Sequence, residues 1–207
     1  MITPTMTEKE LIVEVTADYL NAFRYSDHID RKFRRLVIKS TRFPVRACYE
    51  YVSPRKNRWL IFCESRSKKE VLDNSRISLV TIYNTDFGLH AIMGTFTNGK
   101  MHYIIYPPHF FSRYRSRTNS ELSGIPLMKQ FFKENYSYVY EVKDVQLEEE
   151  KYIREVYGST KEGVALGLFS VQDNILFKTF ITYEMLKGEQ VEKFTQNEKL
   201  RREIHES

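Results

Sequence analysis

Along the first quarter of the chain, apolar positions recur at helical spacing. Leu11, Val15, Leu20 and Phe23 follow this spacing, and Thr7 with Glu10 forms a capping-box signature ahead of them, which predicts a helix over residues 8–23. A second helix is expected from Ser26 or Asp27. Its apolar stripe is Ile29, Phe33, Leu36 and Val37, its other face is Arg31, Lys32, Arg34, Arg35 and Lys39, and Pro44 lies beyond its end. From residue 45 the pattern changes. Aromatic and β-branched residues fill 45–52 and 58–64 around a Pro54-Arg55-Lys56-Asn57 loop, then 77–84, 88–96 and 101–106, all of which predict strands. Ser67 and Glu70 are spaced to cap a short helix between them. Asn98-Gly99 is a hairpin signal, because both turn residues must accept positive φ. With that pair in the turn, His90 and His102 fall on opposite faces, and both faces of the hairpin are largely apolar, as in a strand pair covered on each side.

Pro107-Pro108 ends the last of these strands and opens a helix over 108–117. Another helix is expected near Pro126, with Leu127, Met128, Phe131 and Phe132. Residues 136–157 read equally well as helix or strand. A late hairpin pairs 164–170 with 175–182 across Gln172-Asp173-Asn174. A two-residue Asp173-Asn174 turn sets Thr179 opposite Leu168 and puts Thr182 on the face of Lys178 and Phe180. Residues 184–207 are highly charged and read as a C-terminal helix interrupted at Gly188. The expected fold class is therefore α+β: a mainly antiparallel sheet with N-terminal helices, a central helical segment and a C-terminal helix. One domain over 1–207 is expected, with a subdivision near 106 as the alternative.

Composition narrows the setting. At 207 residues, with 42% hydrophobic positions, 14 Phe, 14 Tyr and 1 Trp, the chain has the material for a large core without staples. Cys48 and Cys63 are too few for a disulfide framework and lie outside any CxxC pair, so they read as small buried apolar residues. No run approaches the length of a membrane span, and the start of the chain is acidic where a leader is basic, so no membrane partner and a cytoplasmic location are expected.

Charge adds more than its net value of +5. Residues 24–76 carry 15 Lys and Arg against 6 Asp and Glu, and residues 100–133 carry 6 against 1. Residues 134–162 reverse the sign, with 4 against 8. Segregation of this kind suits an anionic partner, RNA or another nucleic acid first. It marks Arg31, Arg34, Arg35, Arg55, Lys56, Arg58, Arg115 and Lys178 as expected binding residues. Two alternatives stand beside this reading. One is an interaction module, homo-oligomeric or bound to another protein through Val191, Phe194, Leu200 and Ile204 of the C-terminal helix. The other is an enzyme acting on a small anion.

Candidate chemistry centres on 108–117. His109, Arg113 and Arg117 stand at i, i+4 and i+8, on one side of a helix. An imidazole moves protons near neutrality, and guanidinium groups grip phosphate oxygens, the two functions that metal-free phosphodiester cleavage requires. His90, His102 and His109 lie close in sequence, but no metal-ligand spacing appears and no cofactor is expected. The run from Ile104 through Tyr106, Pro107, Pro108, His109, Arg113, Arg115 and Arg117 resembles the strand, His and spaced-Arg pattern of barnase-, EndoU- and RelE-like metal-independent nucleases, over about residues 101–183. The resemblance implies RNA cleavage with the neighbouring 2′-hydroxyl as nucleophile. His109 would then be the acid or base, Arg113 and Arg117 would hold the phosphate, and a late-strand threonine, Thr182 in preference to Thr179, would assist.

Overall fold

In the computed structural model the capping box at Thr7 is complete: the Thr7 backbone N–H donates to Glu10 and the Glu10 N–H to the Thr7 hydroxyl. The structure describes residues 1–70, 76–97, 100–135, 137–148, 151–170 and 173–205. The chain packs as two units, Met1–Phe96 and Thr97–Ser207.

In the first unit the two expected N-terminal helices are one, α1 (Glu8–Lys39), of 32 residues. No proline or glycine lies between its halves. Ser26, read as a cap, is buried inside the helix and donates its hydroxyl to the Phe23 carbonyl one turn back. Continuity also fixes the inward face. Leu11, Val15, Ala22, Ile29, Phe33 and Val37 are buried at a single helical period, which leaves Leu20, Phe23 and Leu36 on the outside. Four strands follow, β1 (Val45–Val52), β2 (Arg58–Ser65), β3 (Arg76–Thr85) and β4 (Gly88–Thr97), antiparallel and in that order. Every residue of β2 after Arg58 is buried, so both of its faces are covered. The Glu70 N–H donates to the Ser67 hydroxyl as a cap would. The helix expected to follow runs into 71–75, outside the described residues, as does the Asn98-Gly99 turn and the register read from it.

The second unit holds β5 (Lys100–Tyr106), α2 (Pro108–Arg117), α3 (Gly124–Glu134), β6 (Val139–Glu148), β7 (Lys151–Ser159), β8 (Gly163–Phe169), β9 (Ile175–Thr182) and α4 (Glu189–His205). Its strand order is β5-β9-β8-β7-β6, with β5 and β9 parallel and the other pairs antiparallel. The stretch that read either way, 136–157, is β-structure, as its β-branched and aromatic content favours. With these elements in place the protein is α+β with a mostly antiparallel sheet, as expected.

Tyr106 and Phe131, both fully buried, anchor the core of this unit. Tyr106 meets Phe110, Phe111, Phe131, Phe132 and Phe177, and Phe131 meets Tyr114 and Phe180 as well, with ring centroids 5.0–6.1 Å apart. Most of these pairs meet edge to face, the arrangement that ring quadrupoles favour.

The late hairpin departs from its expected register. Thr179 pairs with Leu166 rather than Leu168, and Thr182 pairs with Gly163. Two causes combine. The loop closes at Ser170 and Asn174, with Asp173 at φ +61°, which offsets the pairing by three positions from the expected one. A bulge then falls between the Leu166–Thr179 and Gly167–Phe177 pairs, leaving Lys178 unpaired and returning one of those positions. The extra residue resets the alternation, so Phe177 and Phe180, three apart, both reach Phe110. The expected grouping of Thr182 with Lys178 is thereby broken.

Helix α4 is fastened by polar as well as apolar contacts. Phe194 packs with Val164 and Leu186, while Val191, Leu200 and Ile204 of the expected docking stripe stay exposed. Two turns on from Phe194, the fully buried Arg201 donates to both Glu198 carboxylate oxygens at 2.6 and 2.9 Å and to Ser137 at 2.9 Å. Arg202 donates to the same carboxylate.

Candidate nucleic-acid interface

The basic residues separate according to whether a carboxylate already holds them. Arg55, in the β1–β2 loop, donates to both oxygens of Glu14 on α1, at 3.0 and 2.5 Å. Beside this pair, Asp18 is fully buried and accepts from Ser53, Asn57, Trp59 and Asn21 at 2.6–2.9 Å. Burial alone would raise the Asp18 carboxyl, but these four donors together hold it below its ordinary value. The Pro54-Arg55-Lys56-Asn57 loop is thus a brace between α1 and the sheet, with Arg55, an expected binding residue, engaged by Glu14. Arg58 is paired with Glu50, Arg34 with Asp30 and Arg46 with Glu64. Lys56 is exposed at the loop tip with φ +62°.

Arg31 and Arg35 differ. Both are exposed on α1 with Lys32 and Lys39, and the single continuous helix adds Arg24 and His28, also exposed, to the same side. At 3.6 residues per turn these six positions fall within about 100° of arc and extend over about 22 Å. Among the described residues none of the five Lys and Arg side chains has an ion pair. Asp27 and Asp30 lie to one side of the stripe, and Asp30 is held by Arg34. Sequence reading missed Arg24 and His28 because it ended the first helix at residue 23. Continuing the 3.6 period through Ser26 is the signal that finds them.

On α2, His109, Arg113 and Arg115 are exposed and Arg117 is half-buried. Among the described residues the His109 ring has no hydrogen-bond partner. Arg117 Nη1 donates to the Thr179 hydroxyl at 3.0 Å and to the Phe180 carbonyl. Burial, and then the like charge of Arg113, bring Arg117 below its ordinary value. Thr179, not Thr182, is therefore the threonine tied to this helix. Among the described residues, no hydrogen bond joins the Thr182 side chain to α2. Arg115 lies with Ser112, Ser116, Asn119, Ser120 and Glu121 around a polar notch at the end of α2. Lys178 is exposed beside the bulge and lines one cavity with Thr179.

Other chemistry is muted. Burial pushes the Cys63 thiol up to about 12, so it is not a thiolate at neutral pH. Among the described residues no three His, Cys, Asp or Glu side chains gather as a metal ion requires, and no helix is long and apolar enough to cross a membrane. No protein-family model, no curated protein and no solved structure matches the chain.

Proposed function

We propose that the protein binds nucleic acid by its phosphate backbone, with the outward stripe of α1 as the contact. The observation that supports this is the sorting of the cations: Arg24, Arg31, Lys32, Arg35 and Lys39 share one face without ion pairs, whereas Arg34, Arg46, Arg55 and Arg58 are held by carboxylates. Unneutralised charge in a row exchanges condensed counterions for phosphates, and that exchange drives backbone binding. The test is fluorescence anisotropy with labelled RNA and DNA across a salt series. Five contacts predict a log–log salt slope of about −3.5 on single strands. The double variant Arg31→Glu/Arg35→Glu loses most of the affinity. Binding that ignores salt, or survives this variant unchanged, removes the reading.

Cleavage of RNA without metal is the second, narrower reading. What favours it is α2, where His109 and Arg113 are exposed above an Arg117 fixed by Thr179. Incubation with end-labelled RNA in EDTA tests it: cleavage by the wild type and not by His109→Ala supports it, and intact RNA with both removes it for that substrate.

A further inference from the structure

The bulge in β9 does more than shift a register. It turns Lys178 and Thr179 toward a cavity of about 380 Å³ whose walls are Val145, Val156, Leu166, Gly167 and Leu168, with Glu155 and Tyr157 at the far side. That volume lies in the range of small-molecule sites, which pair apolar walls with a few placed polar groups. Leu166 and Tyr157 also pack against the Val164–Leu186–Phe194 cluster, so α4 supports one side of the cavity.

The polar groups are arranged asymmetrically. At one edge Lys178 is an exposed ammonium with no ion pair among the described residues. Beside it the Thr179 oxygen accepts from Arg117 at 3.0 Å, which leaves the hydroxyl proton to donate into the cavity. At the other edge, two strands or about 10 Å away, the Tyr157 hydroxyl donates to the Glu155 carboxylate. Burial first, and Glu155 second, push the Tyr157 phenol up to about 12, so it keeps its proton and the carboxylate keeps its partner. One edge therefore offers donors and positive charge, the centre is apolar, and the acceptor at the far edge is already engaged.

We infer that this cavity binds an amphipathic monoanion, its carboxylate on Lys178 and Thr179 and its apolar body across Leu166, Leu168 and Val145. The inference is independent of the α1 stripe, which belongs to the other unit.

Octanoate is the probe, with octanamide as its neutral counterpart, titrated into the full chain and followed by calorimetry and by methyl NMR of Leu166 and Leu168. A charge-assisted hydrogen bond is worth enough to set the carboxylate apart from the amide by about tenfold or more. Lys178→Gln is expected to lower octanoate affinity by about tenfold while leaving octanamide unchanged, and Lys178→Arg to restore it. Because Lys178 is exposed, unchanged methyl spectra of the ligand-free variants serve as the check on folding. Shifts at the two leucines with this dependence on charge sustain the site. Absence of octanoate binding, equal binding of the amide, or indifference to Lys178→Gln overturns it.

Discussion

At the scale of single residues, the brace between Glu14 and Arg55 makes the first unit sensitive to acid. The Arg55 guanidinium chiefly, with the Met1 amino group and Asn57 helping against burial, holds the Glu14 carboxyl down to about 2. A carboxyl depressed in the folded state stabilises it fully above its ordinary value of 4.5 and loses that contribution as pH falls toward 2. Trp59, the one tryptophan, donates its indole N–H to Asp18 at 2.9 Å and so reports on this region. Arg55→Ala is expected to move the acid transition in Trp59 fluorescence to higher pH, and an unchanged midpoint would count against the brace. Sequence reading gave Arg55 to nucleic acid because its partner lies 41 residues upstream, beyond any local pattern. Arg31 and Arg35 were legible as exposed cations because the helical period alone places them.

Among the elements, β8 and β9 carry the tightest constraint. A Cβ on Gly167 would stand 2.3 Å from the Leu176 carbonyl oxygen, a backbone atom that cannot rotate away. Gly167→Ala is expected to destabilise the protein by about 1–3 kcal/mol, as overpacking does, read from urea denaturation. Phe131→Ala, which empties the centre of the aromatic cluster, is expected to cost about 3–5 kcal/mol in the same measurement. Strand positions were readable here because β-branched and aromatic residues declare them. The bulge at Lys178 was not, since an extra residue leaves composition untouched and only shifts the phase after it. That shift is why Thr179 meets Arg117 where Thr182 was expected.

For the whole molecule, charge divides into cations that hold the fold and cations that remain available. Reversing Arg46, whose pair with Glu64 is largely buried at 2.6 Å, is expected to lower thermal stability by about 3 kcal/mol or more and leave salt-dependent binding intact. Reversing Arg24 or Arg31 is expected to do the opposite, weakening binding with the melting temperature nearly unchanged. Parallel melting and anisotropy series check both, and loss of stability at the α1 stripe would undo the distinction. The α+β class followed from the change of period near residue 45. The order β5-β9-β8-β7-β6 did not, because hairpin signals speak only for neighbouring segments, whereas β9 returns to lie parallel beside β5.

Arg201 has a consequence for how the last helix finds its seat. A helix docked by greasy contacts alone tolerates a slide of one turn, since one leucine fills another's place. A guanidinium buried beside Glu198 of its own helix and donating to Ser137 outside it accepts no such substitute: another alignment keeps the Glu198 pair but breaks the Ser137 bond, leaving a buried donor unsatisfied. The Arg201–Ser137 bond acts as a key cut for one lock. It rejects misaligned versions of α4 more than it tightens the aligned one, so a well-packed apolar replacement would trade fidelity of docking for strength.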